Sequence, residues 1–417
     1  MRESNRMAAA GLRPWRAQAP ARRSPMTDTL TEQHPSPSPT IPFPAAAPAM
    51  RTALVLSGGV ALGAVEAGFC AALEAAGTPW PDWVAATSAG AINAALLAGN
   101  PPGRRAEALR AFWKAAEEPA PAFSFLPEPF LAGPPPRGAW RQASSHAAAW
   151  RTLLLGRPGL FAPRPWAALL PQDGAALHDL APLRRRLPEL VDFDRLNSGA
   201  PRLSVVTTDL ASGERVVFDT GRGDRIGPEH IVAACGLPPL FGPSRIGERL
   251  LGDGGLASNT PLDLVFDTPD AAPLLCLVVE LFAASGQVPR SLGDSLSRAG
   301  DLAFGNQTQR ILEGQGRALR LRAALRRVAE RLPAGARAEA GVEEALAEAA
   351  GPAAATVVRF AYRAALDEGG PGKLFDFSAP SLMERWRAGE AGLRAALRRL
   401  AEAPPGHDGL TLHEVGT

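Results

Sequence analysis

Cysteine and histidine are scarce in this chain, with 3 and 6 residues among 417. Cys70, Cys235 and Cys276 show no pairing pattern, so nothing favours an oxidising compartment. Neither residue type recurs at metal-ligand spacing, so we expect no metal and no cofactor. No apolar run approaches the roughly 18 residues that cross a bilayer. The longest such run, residues 272–283, is typical of a buried core strand.

Net charge is also small, at +2, and basic residues do not alternate with aromatic ones. Both observations argue against binding to nucleic acid. Hydrophobic residues make up 46% of the chain and charged residues 21%, which is ordinary for one large globular domain with appendages. The composition therefore predicts an intracellular, cytoplasmic enzyme.

A strand, a sharp turn and a helix are predicted over residues 83–99, WVAATSAGAINAALLAG. Ser88 lies at the turn, with the small residues Ala86 and Gly90 two positions away on either side. A tight strand-to-helix elbow needs small neighbours, and it presents its serine at the helix N-terminus. The alternative is an ordinary turn in which Ser88 only caps the helix.

A carboxylate follows far downstream in residues 251–263, LGDGGLASNTPLD. Asp253 precedes Gly254 and Gly255, which allow the backbone to turn tightly beside another segment. Asn259 and the residues after it then begin a new element. In isolation, the Asp-Gly-Gly sequence is equally typical of a hairpin turn.

A glycine-rich loop between a strand and a helix completes the set, in residues 53–63, ALVLSGGVALG. Backbone amides around Gly58 and Gly59 can form a donor site for negative charge. The spacing up to Gly63 fits neither the dinucleotide fingerprint nor the P-loop, which argues against a phosphate cradle. Together the three segments supply a nucleophile, a carboxylate and an oxyanion donor, the groups that acyl transfer requires.

These three segments, in this order, resemble the bacterial patatin-like phospholipases over roughly residues 51–395. The resemblance implies an α/β fold in three layers, with a mostly parallel central sheet, helices on both faces and a helical C-terminal extension. It also implies a Ser–Asp dyad of Ser88 and Asp253. The remaining implied site residues are an oxyanion hole at Gly58, Gly59 and Val60, and supporting positions at Gly63, Ala86, Gly90, Gly254, Gly255 and Asn259.

Two positions depart from the family pattern. Ala86 stands where the elbow usually has its first glycine, and one methyl group is tolerable there. Leu62 stands where the family usually has Arg or Lys, which removes one electrostatic contribution to the oxyanion site. Backbone amides can still stabilise the oxyanion, so we expect activity to be retained.

An unperturbed aspartate, with a pKa of about 4, is a poor base for serine unless it is desolvated. Burial of the dyad under an apolar cover would meet that requirement. A Ser–His–Asp triad using His178 or His230 is the alternative.

The predicted organisation has four parts. Residues 1–49 are a disordered, basic and Pro-rich segment, with Met26 as an alternative start and a membrane-binding arm as an alternative role. Residues 50–285 form the catalytic domain, in which 100–200 is an aromatic and Pro-rich lid or insertion. A mainly helical extension covers 286–400, and 401–417 is a flexible tail.

The expected function is a lipid acyl hydrolase that cleaves carboxylic esters of phospholipids or related lipids through an acyl-enzyme. An acyltransferase or thioesterase with the same dyad, or a catalytically silent lipid-binding scaffold, are the alternatives. The expected partners are a lipid ester and the inner surface of a membrane, with no nucleic acid. The sequence does not reveal the oligomeric state.

Overall fold

The computed structural model describes residues 50–118, 138–164, 174–363, 370–406 and 409–416. All of them fall in one compact unit, Ile41–Thr417. The predicted disordered segment 1–49 lies outside the described residues, as do 119–137 and 165–173 of the predicted lid.

The strands and helices follow one another in an alternating order along much of the chain. The strands are β1 Arg51–Leu56, β2 Trp83–Thr87, β3 Ala162–Pro163, β4 His178–Asp179, β5 Arg202–Asp209, β6 Arg215–Asp219, β7 Ser244–Ile246, β8 Arg249–Asp253, β9 Leu274–Glu280, β10 Ala354–Ala361 and β11 Gly409–Gly416. The helices are α1 Gly63–Ala75, α2 Ala89–Ala98, α3 Arg105–Ala116, α4 Ala139–Leu155, α5 Ala181–Leu190, α6 Phe193–Leu196, α7 Pro228–Ala234, α8 Gly255–Ser258, α9 Leu262–Phe266, α10 Leu292–Arg331, α11 Ala334–Arg337, α12 Ala340–Glu348, α13 Gly372–Phe375 and α14 Ala379–Glu402. A 3₁₀ turn, Val60–Leu62, precedes α1.

The central sheet is mostly parallel. Its order is β11-β10-β9-β1-β2-β5-β8-β7, with β6 also paired to β5. The strands from β11 to β5 are parallel to their neighbours, whereas β6, β7 and β8 are antiparallel. Strands β5 and β6 pair as an antiparallel hairpin. A mostly parallel sheet, as the sequence predicts, is therefore confirmed.

Both faces of the sheet are buried, which explains why its central strands are apolar along their whole length. On one face, Leu54 and Leu56 of β1 pack with α1, α2 and α14. On the opposite face, Ala53 and Val55 pack with residues of α9 and α10. The alternation of β1 side chains between two cores confirms the three-layer arrangement.

The C-terminal region contributes strands as well as helices to this sheet. β10 lies beside β9, and β11 is hydrogen-bonded along its whole length to β10. The prediction of a flexible tail at 401–417 is therefore wrong for residues 409–416. Leu410 and Val415 of β11 pack against opposite cores, which holds the strand at the sheet edge.

Helices α1 and α14 cross in close backbone contact. A Cβ atom added to Gly68 would overlap the backbone of Trp386, and one added to Gly389 would overlap the carbonyl oxygen of Val65. Because neither backbone can move without disturbing the sheet beneath it, the crossing needs glycine on both helices. It fastens the C-terminal helix to the helix that follows the glycine-rich loop.

We expect Gly389→Ala to lower the free energy of unfolding by about 1–3 kcal/mol, because the added methyl group overpacks the crossing. Gly314→Ala in α10 is the matched control, since nothing lies within 4 Å of its added Cβ atom. This control should raise stability by roughly 0.5–1 kcal/mol, as alanine is the better helix former. Urea unfolding of both variants measures the difference. Equal effects would contradict the proposed close contact.

Candidate active site

Ser88 lies between β2 and α2 with backbone angles that are rare for a residue with a side chain, φ 54° and ψ −123°. Among the described residues, the other non-glycine residue with positive φ is Val60, at 51°. Such strain persists only where surrounding structure imposes it, and it clusters at functional sites. Both strained residues lie in the two segments that the sequence singled out.

The elbow is tight because α2 begins against the end of β1. A Cβ atom added to Gly90 would lie 2.8 Å from backbone atoms of Leu56 and Ser57. The Gly90 amide donates a hydrogen bond to the Ser57 carbonyl at 3.2 Å. Ala86 is fully buried in β2, between β1 and β5, so its methyl group is accommodated within the sheet.

Asp253 ends β8 and reaches Ser88 because of the strand register. Thr87 pairs with Val206 in β5, and Asp253 pairs with the next β5 residue, Thr207. The Ser88 side chain lies close enough to the Asp253 carboxylate to lower the pKa of that carboxylate. The Oδ1 atom of Asp253 also accepts a hydrogen bond from the Gly255 amide at 2.7 Å.

Asp253 is only 4% exposed. Burial raises the pKa of Asp253 to about 6, although the Ser88 side chain and the hydrogen bond from the Gly255 amide lower it. The neighbouring Gly254 lies against β5, where a Cβ atom would overlap the Val206 carbonyl. The two glycines after Asp253 thus permit both the close approach and the amide contact.

The glycine-rich loop lies directly against the serine. A Cβ atom added to Gly58 would lie 2.9 Å from the Ser88 Cβ atom. The Gly58 amide, however, donates to the Asn259 carbonyl at 3.2 Å. Gly58 is therefore already engaged and does not offer the free oxyanion donor that the sequence predicts. Within the described residues, no protein acceptor is found for the amides of Gly59 and Val60.

Asn259 connects the loop to the carboxylate turn. Its side-chain Nδ2 lies 3.4 Å from the Gly58 carbonyl oxygen. Its Oδ1 would lie 2.6 Å from a Cβ atom on Gly58 and 2.7 Å from one on Gly255. Its backbone amide donates to Gln307 of α10 at 3.1 Å. Asn259 therefore fixes the spacing between the two glycine segments.

Glu66 and Asn93 form a buried polar network behind the elbow that the sequence reasoning missed. Glu66 accepts hydrogen bonds from the Ser57 amide at 2.7 Å and from Asn93 Nδ2 at 3.1 Å. Asn93 also donates to the Gly63 carbonyl and accepts from Trp113 Nε1. Burial raises the pKa of Glu66 well above its usual range, and the bonds from Asn93 and Ser57 lower it by less.

This network ties the loop before Gly58 to α1, to α2 and to Trp113. A carboxyl residue within an apolar helix is the sequence signal that could have identified it, since Glu66 is fully buried in α1.

Neither candidate triad histidine lies at Ser88. The ring nitrogens of His178 lie 3.2 Å and 2.8 Å from the backbone carbonyl oxygens of Leu240 and Leu153. The Nδ1 atom of His230 accepts from the Gly227 amide, and its ring packs against Phe218. Their contacts therefore give no support to a Ser–His–Asp triad.

A narrow apolar cavity of about 50 Å³ opens beside Ser88. Aliphatic and aromatic side chains make up most of its lining, and several come from the region predicted as a lid. The lining residues are Val60, Ser88, Ala89, Ile92, Phe112, Trp113, Leu160, Phe161, Leu180, Leu183, Cys235, Phe241 and Phe377. Such a lining suits a hydrocarbon chain.

Within the ranges that the structure describes, no cluster of three or more His, Cys, Asp and Glu side chains is placed to hold a metal ion. The three cysteines are buried free thiols. Cys235 donates to the Ser88 carbonyl oxygen at 3.4 Å.

Within the described ranges, no helix has the length and apolar character needed to cross a membrane.

Two of the solved structures that match this chain are distant likenesses. VipD from Legionella pneumophila is 16% identical, with a TM-score of 0.37, over 85% of this chain and 67% of its own. The complex of ExoU and SpcU from the type III secretion system of Pseudomonas aeruginosa is 19% identical, with a TM-score of 0.27, over 64% of this chain and 52% of its own. No curated protein matches the chain.

Two family models match the sequence. A model described as patatin phospholipase matches residues 302–405, in the C-terminal region. A model described as patatin-like phospholipase matches residues 54–266, slightly more than half of the 417 residues. That match includes the glycine-rich loop, the strained serine and the buried aspartate, and the chain belongs to the patatin-like phospholipase family.

Proposed function

We propose that this protein is a lipid acyl hydrolase that cleaves carboxylic esters of phospholipids or related lipids. The observation that carries the proposal is the placement of a strained serine, Ser88, against a buried aspartate, Asp253, beside an apolar cavity. A surface turn with a capping serine needs none of these features.

In the proposed reaction, Asp253 accepts the Ser88 proton while the serine Oγ attacks the ester carbonyl carbon. The tetrahedral intermediate collapses, its bond to the alcohol oxygen breaks, and the alcohol takes the proton from Asp253. Water then attacks the acyl-enzyme and gives its proton to Asp253. Release of the fatty acid returns the proton to the Ser88 oxygen.

Burial makes this dyad workable without a histidine. An aspartate with a pKa of about 6 accepts a proton more readily than an exposed aspartate does. It is still ionised near neutral pH, so both requirements of a general base are met. Burial makes the charged form of Asp253 less favourable, and this same effect makes Asp253 a stronger base toward the Ser88 hydroxyl.

The amides of Gly59 and Val60 are our proposed oxyanion donors, aided by the N-terminus of α2. The positive φ of Val60 supports this role, because it changes the direction in which the peptide groups of the loop point. Leu62 is fully buried and supplies no charge, so we assign stabilisation of the oxyanion to backbone groups.

An acyltransferase or a thioesterase would use the same dyad with another acceptor or donor. Product analysis with an added alcohol acceptor separates transfer from hydrolysis.

We also propose that the enzyme meets its substrate at a membrane surface in the cytoplasm. Sedimentation with phospholipid vesicles tests that localisation.

We expect a fluorophosphonate probe to label the wild type and not Ser88→Ala, because the probe needs an activated serine oxygen. Hydrolysis of a short-chain ester should fall by about 10⁴-fold or more in the variant. Ser258→Ala is the matched control, since this buried serine belongs to α8 and should leave labelling intact. An unlabelled wild type would instead favour a silent lipid-binding protein.

We expect Asp253→Asn to lower turnover by about 10²–10⁴-fold, because the base is lost. The same variant should be more stable at pH 8, by up to about 3 kcal/mol, because it removes the cost of a buried charge. Esterase assays and urea unfolding measure the two effects. Full activity in the variant would show that another group acts as the base.

We expect kcat/KM to rise with pH through about 6 and then level off, because only ionised Asp253 accepts the proton. The contribution of Asp253 to folding stability should change in the opposite direction. Its pKa is raised in the folded state, so this contribution is greatest below about pH 4 and declines as pH rises through about 6. A rate that is independent of pH between 5 and 7 would contradict the assignment of Asp253.

A further inference from the structure

The C-terminal region reaches the cavity beside Ser88. Phe377 follows α13 directly and lines the same cavity as Ser88. Helix α13 itself packs against the Val60–Leu62 turn, which follows the proposed oxyanion loop. A segment about 290 residues after the serine thus forms part of its immediate surroundings.

Phe377 belongs to a cluster of aromatic rings at the cavity. The ring centroids of Phe161 and Phe377 are 6.3 Å apart, and those of Phe161 and Phe241 are 4.9 Å apart. Phe377 is only 1% exposed, so it borders the cavity on an enclosed side and not at its open mouth. The Phe377 ring therefore fills space into which an acyl chain would otherwise extend.

The backbone that carries Phe377 is firmly held. The guanidinium of Arg385, fully buried in α14, donates to the carbonyl oxygens of Gly372, Lys373 and Asp376 at 2.9–3.1 Å. The Phe377 carbonyl oxygen accepts from the Glu118 amide at 2.8 Å. A ring on a backbone with these contacts cannot easily move aside for a longer chain.

We propose that Phe377 limits the length of the acyl chain that the cavity accepts. This inference rests on the proposed function, since it assigns the cavity to the acyl group of the ester. The ring acts as a specificity-determining group and not as a catalytic residue. The C-terminal region thereby selects the substrate as well as completing the fold.

The test compares Phe377→Ala and Phe377→Leu with the wild type on para-nitrophenyl butyrate, octanoate and palmitate. We expect the ratio of kcat/KM for palmitate over butyrate to rise about tenfold or more in Phe377→Ala, and by less in Phe377→Leu. Phe377→Leu removes less volume, so it also keeps the test valid if the alanine variant fails to fold.

Phe360→Ala is the matched control. Phe360 is equally buried, at 1% exposure, but it stacks on Phe69 and does not line the cavity. It should lose stability like a Phe377 variant without any change in the palmitate-to-butyrate ratio. The proposal is overturned if the Phe377 variants leave that ratio unchanged or shift it no more than the control does.

Measurements of binding affinity distinguish a failure of this proposal from a failure of the proposed function. In the Ser88→Ala background, calorimetry measures the affinities for octanoate and palmitate with and without the Phe377 substitutions. A gain in palmitate affinity from the Phe377 substitutions, together with a wild type that fluorophosphonate does not label, would retain the length limit and refute hydrolysis. An unchanged palmitate affinity, together with a wild type that fluorophosphonate labels, would refute the length limit and retain hydrolysis.

Discussion

The contact between Ser88 and Asp253 depends on a reversal of strand direction within the sheet. β5 is parallel to β2 on one side and antiparallel to β8 on the other. Because of that reversal, the last residue of β8 lies one register position from the end of β2. The serine comes from a parallel βα unit and the carboxylate from an antiparallel strand. Neither unit alone could bring the two groups together.

The same arrangement explains the three close backbone contacts around the dyad. Gly58, Gly90 and Gly254 each lie against another main chain or the serine itself, leaving no room for a side chain. Asn259 fills the space between the Gly58 and Gly255 segments and is hydrogen-bonded to the Gly58 backbone. The site is therefore built mainly from backbone, and its geometry depends on the sheet and little on side-chain rotamers.

Much of this could be predicted from local sequence. The elbow at Ser88, the turn at Asp253 and the central strands each combine an apolar run with glycine at one end, and such signals are local. The engagement of the Gly58 amide by Asn259 was not predictable, because it joins residues about 200 positions apart. β11 was not predicted because its pairing partner, β10, lies 55 positions earlier in the chain. The role of Glu66 is visible only once Ser57 and Asn93 are seen to surround it.

The position of β9 has a consequence for how the chain can be divided. β9 is buried along its length and is hydrogen-bonded to β1 on one side and β10 on the other. A chain truncated after the predicted catalytic domain, at residue 285, would leave one edge of this apolar strand without partners. Exposed edges of that kind pair with other chains and promote aggregation. The catalytic half is therefore not a separable module, and its solubility depends on strands that the chain supplies last.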